Sequence, residues 1–176
     1  LWPLVESIQR DGVCAEVIAP APSSGGREAA VAAEIAIAVA DGLDVTGVLA
    51  VELFETDDER ILINELAMRP HNSGHWSIEG SATSQFEQHL RAVLDLPLGA
   101  TDTRAPWTVM VNVLGGPTDG DLARPRTRGL GEHPDVAVHL YGKAPRPGRK
   151  IGHVTALGAD LDDVASRARA AAAAFD

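Results

Sequence analysis

Apolar residues recur along this chain with two periods. Short runs rich in β-branched residues predict strands over Gly12–Ala19, Val48–Phe54, Ile61–Leu66, Trp107–Leu114, Ala137–Tyr141 and Lys150–Leu157. Helical spacing appears over Arg27–Asp41, where Ala32, Ile35, Ala36 and Val39 share one face and Gly42 is placed to cap the end. Ser84 and Glu87 form a capping-box pattern ahead of a second helix, with Phe86, Leu90, Val93 and Leu94 as its apolar face. A final helix starts at Asp160 and turns Leu161, Val164, Ala168 and Ala172 inward. Pro20–Gly26 reads as a loop, and Thr56-Asp57-Asp58-Glu59 as a polar turn that joins two strands into a hairpin. Pro97 and the polar stretch Gly99–Pro106 suggest a boundary near residue 100, hence parts 1–99 and 100–176. The pattern is that of an α+β protein, the second part being small and β-rich.

Composition narrows the classes. The chain has 176 residues, of which 45% are hydrophobic, enough for one medium domain or two small lobes with a real core. Its net charge of −10 argues against a nucleic-acid binder, because no basic stripe is present to neutralise a phosphate backbone. Cations are concentrated instead in Lys143, Arg146, Arg149 and Lys150, a local patch suited to a small anion. No apolar run approaches 18 residues and no charged-then-apolar leader appears, so neither a membrane span nor a signal peptide is expected. Cys14 is a lone cysteine in a strand-like run, expected to be a small buried residue in a protein of the reducing cytoplasm.

The most informative stretch is Asn64-Glu65-Leu66-Ala67-Met68-Arg69-Pro70-His71-Asn72-Ser73-Gly74-His75-Trp76. It puts a carboxylate near the end of an apolar strand, then Arg, His, Asn and Ser on a loop that Pro70 and Gly74 keep from becoming helix. Glu52 stands in the preceding strand. A two-residue turn at Asp58-Glu59 sets Glu52 directly opposite Glu65, and one at Asp57-Asp58 makes them diagonal on the same face. A three-residue turn or a bulge shifts the register by one and separates them. Two acids facing each other destabilise a hairpin, and a divalent cation such as Mg²⁺, held by carboxylates, water and substrate phosphates, is the natural remedy. The plainer alternative is a hairpin with two solvated acids.

These residues resemble the carboxyl half of an ATP-grasp enzyme. The form Asn-Glu-Leu-Ala-x-Arg-x-His-Asn-Ser-Gly-His-Trp is similar to the N5-carboxyaminoimidazole ribonucleotide synthase family. The likeness continues in Ser84-Gln85-Phe86-Glu87-Gln88-His89-Leu90-Arg91-Ala92, in Asp95-Leu96-Pro97-Leu98 and in Pro147-Gly148-Arg149-Lys150-Ile151-Gly152-His153. Met68 departs from the family, where many relatives carry Pro, without removing a ligand. The resemblance implies the carboxyl-terminal half of an ATP-grasp domain, an antiparallel sheet with flanking helices, followed by a small β-rich domain. It also implies that the amino-terminal part, with the adenine pocket and the lysines for the α- and β-phosphates, belongs to a longer polypeptide. This piece alone is then not expected to turn over. No Walker-type sequence replaces those groups, since Gly142-Lys143 is followed by Ala144.

The activity implied is ATP-dependent carboxylation of 5-aminoimidazole ribonucleotide by bicarbonate through carboxyphosphate, in purine biosynthesis. Glu52 and Glu65 would hold Mg²⁺, with Asn64 and Glu65 at the nucleotide end; Arg69 would take bicarbonate and carboxyphosphate. His71, Asn72 and Ser73 would bond the intermediate and the aminoimidazole, His71 also accepting a proton. Lys143, Arg149 and Lys150 would hold the 5′-phosphate, with Arg146 weaker. A homodimer is implied as well. Two rivals are another ATP-grasp ligase, which would not be expected to combine His71-Asn72-Ser73-Gly74-His75 with Pro147-Gly148-Arg149-Lys150, and a non-catalytic ribonucleotide-binding module. His71 and His75 have the spacing of a zinc-binding helix, but Gly74 disfavours helix and Asn72 replaces the acid such a helix needs. Gly115-Gly116-Pro117 is expected to be a turn, since Pro117 lacks the amide a phosphate loop needs, and Trp2, Trp76 and Trp107 are expected to pack.

Overall fold

The computed structural model describes residues 1–22, 26–58, 60–116 and 120–176. Parts of the expected Pro20–Gly26 loop, Glu59 of the polar turn and Pro117 after Gly115-Gly116 lie outside the described residues. The chain forms two compact units. One comprises Leu1–Val5 with Pro20–Arg104, the other Glu6–Ala19 with Ala105–Asp176. The α+β character holds throughout.

The second of these units is built on strands β1 (Glu6–Arg10), β2 (Val13–Ala19), β5 (Trp107–Leu114), β6 (Ala137–Leu140) and β7 (Lys150–Gly158). They form one antiparallel sheet in the order β1-β2-β5-β7-β6. Helices α4 (Ala123–Glu132) and α5 (Leu161–Ala173) belong to the same unit. The Asp160 side chain accepts from the Asp163 amide and so starts α5. Val164, Ala168 and Ala172 are buried on α5, together with Ala165 and Ala171, against Ile18, Val109, Val154 and Ala156. An alanine-lined helix face lets α5 lie close to the sheet. Arg169 reaches past that face and donates from Nη2 and Nε, one edge of its guanidinium, to the two carboxylate oxygens of the buried Glu16 of β2, at 2.7 and 2.8 Å. The hydrophobic pattern missed β1 and α4. β1 carries only one aliphatic residue among ESIQR, and α4 contains Pro125 and two glycines. Both are made by tertiary pairing, not local propensity.

The other unit holds helix α1 (Arg27–Gly42), the hairpin β3 (Ala50–Glu55) and β4 (Ile61–Ala67), a 3₁₀ turn (Asn72–Gly74), and helices α2 (Ser77–Gly80) and α3 (Gln85–Val93). Trp76 is its largest buried side chain, and Trp2 Nε1 donates to Ser81 Oγ at 3.0 Å. Two expectations need correction. Gly42 does not cap α1 in the left-handed region; Asp44 takes that role with φ 49°, and the Val45 amide returns to the Ala40 carbonyl. On α3, Ser84 does cap Glu87, but the apolar face points outward: Phe86, Leu90, Val93 and Leu94 are 41–63% exposed. The buried α3 residues are Gln85 and Gln88. Gln88 donates to the Gly99 carbonyl at 2.6 Å and accepts from the Gly99 amide at 2.8 Å, so both ends of its amide are satisfied.

Candidate active site

The hairpin reaches the expected juxtaposition by an unexpected route. Next to the turn the pairs are Glu55–Ile61, Phe54–Leu62 and Leu53–Ile63, a register with an odd number of turn residues. Continued unchanged, it would set Glu52 opposite Asn64. The register shifts between Glu52 and Leu53, leaving Asn64 as the extra residue of a β-bulge, and Glu52 pairs with Glu65. Turn and bulge each displace the strand by one residue, so the two displacements cancel. In a regular strand Asn64 and Glu65 would face opposite ways. Here Asn64 Nδ2 donates to Glu52 Oε2 at 3.3 Å while Glu65 remains Glu52's partner.

Beyond Ala67 the chain leaves the sheet and Pro70 carries it to His71, whose extended backbone begins the 3₁₀ turn. The His71 ring stands between the two acids. Its Nδ1 is 3.8 Å from Glu52 Oε1 and its Nε2 is 3.9 Å from Glu65 Oε1. Ser73 Oγ lies 2.9 Å from Nδ1, and the Ser73 amide also points at that nitrogen at 3.4 Å. An amide only donates, so Nδ1 keeps its lone pair and the neutral ring carries its proton on Nε2, toward Glu65. The His71 and Glu52 side chains are 13% and 22% exposed, whereas Glu65 is 51% exposed. The site is therefore enclosed on one side and open on the other. The donor set, two carboxylates on paired strand positions beside a carboxamide, fits a hard divalent cation such as Mg²⁺ better than zinc.

Glu52, Asn64, Glu65, His71 and Ser73 are thus brought together, and Asn72 follows in the same turn. Arg69 is exposed and directs Nη1 to the Pro70 carbonyl at 3.2 Å. His75 does not join His71 as a metal pair: its Nδ1 lies 2.8 Å from Gln85 Nε2. Lys143, Arg149 and Lys150 belong to the other unit. There the Lys143 ammonium lies over the Tyr141 ring, 5.3 Å from its centroid, and Tyr141 Oη meets His153 Nδ1 at 2.7 Å. Arg149 Nη1 donates to the Ala144 carbonyl at 3.3 Å, while Lys150 opens β7 opposite Leu114.

Sequence reasoning missed Gln85 as a structural residue. Gln85, 2% exposed, accepts from the His71 amide at 2.9 Å and donates to the His71 carbonyl at 2.8 Å. Gly74 has no unusual φ; a Cβ there would stand 2.4 Å from Gln85 Oε1. Its glycine is required for space, not to prevent helix, since Gly74 ends the 3₁₀ turn. The available signal was that Gln85 lies within Ser84–Ala92, a stretch that resembles the family.

Residues 1–86 match the ATP-grasp domain, which places the hairpin and its loop in the class of ATP-grasp proteins. Residues 108–167 match the phosphoribosylaminoimidazole carboxylase C-terminal domain. An N5-carboxyaminoimidazole ribonucleotide synthase of Mycobacterium tuberculosis is 55% identical over 97% of this chain and 40% of its own length. A crystal structure of N5-carboxyaminoimidazole synthase from Aspergillus clavatus, in complex with ADP and 5-aminoimidazole ribonucleotide, superposes with a TM-score of 0.88 at 35% identity, over 99% of this chain and 47% of that one. The synthetase of Thermus thermophilus gives 0.84 at 40% identity, over 99% and 46%. The chain belongs to the N5-carboxyaminoimidazole ribonucleotide synthase family. It spans about two-fifths of the length of the mycobacterial relative it matches.

Proposed function

We propose that the polypeptide carrying this chain is a ligase of purine biosynthesis that carboxylates 5-aminoimidazole ribonucleotide with bicarbonate at the expense of ATP. The observation that carries the reading is His71 set between Glu52 and Glu65, in a chain whose relatives bear that name. A bicarbonate oxygen attacks the γ-phosphorus and ADP leaves, giving carboxyphosphate; this releases CO₂ and phosphate. The exocyclic amine of the ribonucleotide then attacks the CO₂ carbon and loses a proton. Glu52 and Glu65 would hold Mg²⁺, which when bound neutralises phosphate oxygens and orients them for in-line transfer. Asn64 fixes Glu52 for that task. Arg69 offers a planar donor fork to bicarbonate and carboxyphosphate. His71 accepts the amine proton at Nδ1 by way of the Ser73 hydroxyl that already faces it. Asn72 and Ser73 bond the intermediate, and Lys143, Arg149 and Lys150 take the 5′-phosphate.

In this reading residues 1–99 serve ATP and residues 100–176 form the smaller domain. The remaining adenine and phosphate contacts come from the amino-terminal part of the same enzyme, working as a cytoplasmic homodimer. Among the described residues no helix is long and apolar enough to cross a membrane. The test is ADP release by the complete polypeptide with ATP, Mg²⁺ and bicarbonate, with and without the ribonucleotide. Strong stimulation by the ribonucleotide, lost in Glu65→Gln, is the expected result. Absence of stimulation removes the substrate assignment, and an unaffected Glu65→Gln removes the metal assignment.

A further inference from the structure

Two histidines share the loop after β4, and the geometry distinguishes them. The orientation of the Gln85 amide follows from its partners. The His71 amide can only donate and the His71 carbonyl can only accept, so the atom at 2.9 Å from the first is oxygen and the atom at 2.8 Å from the second is nitrogen. The same nitrogen, Nε2, stands 2.8 Å from His75 Nδ1. Since Nε2 can only donate, His75 Nδ1 must accept. Neutral His75 therefore carries its proton on Nε2. The Gln85 amide is itself held. Its backbone amide donates to Ser77 Oγ at 2.9 Å, and Ser77 Oγ donates to the Gly74 carbonyl at 2.6 Å. The His75 ring is stacked on Phe86, the residue after Gln85, with centroids 5.6 Å apart.

We infer that Gln85 is a positioning residue of this site, fixing the His71 backbone between its two amide atoms and holding His75 as the neutral Nε2-protonated tautomer. His75 thereby serves the site as a hydrogen-bond donor, and the proton acceptor of the loop is His71. Its kinetic consequence rests on the carboxylation reading above; its spectroscopic consequence does not.

The experiment observes the imidazole nitrogens of His71 and His75 by NMR in ¹⁵N-histidine-labelled protein, native and with Gln85→Glu and Gln85→Met. Native His75 is expected to show a pyridine-type Nδ1 and a pyrrole-type Nε2. Gln85→Glu keeps the shape of the side chain but replaces the donor by an acceptor, and the His75 proton is expected to move to Nδ1. Gln85→Met removes the donor altogether, and the tautomer preference is expected to disappear. In the complete enzyme both variants should lower kcat about 10²-fold through misplacement of His71, with KM for ATP within about twofold. A proton on Nδ1 of native His75, or an unchanged tautomer in both variants, overturns the inference. A fall in kcat without a tautomer change also overturns it, leaving Gln85 a merely structural residue. A native enzyme without ribonucleotide-stimulated ADP release refutes the carboxylation reading instead, and the nitrogen spectra still decide the role of Gln85.

Discussion

Gly74→Ala is the smallest change that should dismantle the loop. The added methyl group would stand 2.4 Å from Gln85 Oε1 and 2.8 Å from its Cδ, inside the distance any carbon tolerates, so the Gln85 amide must leave its place. Its departure strips the His71 amide and carbonyl of their partners at 2.9 and 2.8 Å and opens the His75 contact. An unpaired buried polar group costs about 1–3 kcal/mol, and overpacking adds a similar amount where the neighbour cannot yield. Because the His71 region is half-buried, water recovers part of this, and a total near 3 kcal/mol is expected. For a chain of this length that lowers the melting temperature by about 6–12 °C. Gly131→Ala is the control. Gly131 lies in α4 with nothing within 4 Å of the added carbon, so the helix preference for Ala should stabilise by up to about 1 kcal/mol. Thermal unfolding of both variants, with hydrogen exchange at the His71 amide, measures the effect. A Gly74→Ala protein within about 1 kcal/mol of native, with the His71 amide still protected, would refute the reasoning.

Other consequences follow from the same geometry. Arg169→Met leaves the buried Glu16 carboxylate without its two donors. The loss should be about 2–3 kcal/mol in urea unfolding, below the usual buried-pair figure because the Arg169 side chain is 50% exposed. Adding Glu16→Leu should recover most of it, and a double variant as weak as the single one would contradict this account. Tyr141 is the one tyrosine of the chain, and burial raises its phenol above the ordinary value. Below the unfolded value near 10 both states keep the proton, and above it only the unfolded chain ionises, so stability falls as pH rises toward the folded value. Phenolate absorbance should therefore appear with unfolding and not before; ionisation of the folded protein near the ordinary value would count against it. The exposed Phe86, Leu90, Val93 and Leu94 should make the isolated chain self-associate, and Leu90→Glu with Leu94→Lys should reduce this. A native chain that sediments as a monodisperse monomer would rule that out.

The fold is most legible in the sequence where local rules govern. Asp160 and Ser84 cap their helices because a short oxygen-bearing side chain ahead of an apolar run has few better uses. The strands from Trp107 and Lys150 are β-branched runs between turn residues, and they formed where the pattern placed them. It is least legible at α3. Helical spacing identified an apolar face, but spacing cannot tell which face meets the core. The unit buries Gln85 and Gln88 because each amide satisfies a loop peptide that would otherwise lack partners. β1 and α4 escaped notice for a related reason: neither has a strong local preference, and each exists through partners distant in sequence.

The sequence by itself determined the α+β pattern, the acids and histidines available to a site, and a family motif specific enough to propose a reaction. Only the tertiary structure decided which of those groups meet. A bulge at Asn64 offsets an odd-residue turn and returns Glu52 to Glu65; a glutamine on another helix decides where the His71 backbone sits and which His75 nitrogen carries the proton. Strand register and hydrogen-bond orientation depend on partners remote along the chain, whose geometry no window of neighbouring residues contains.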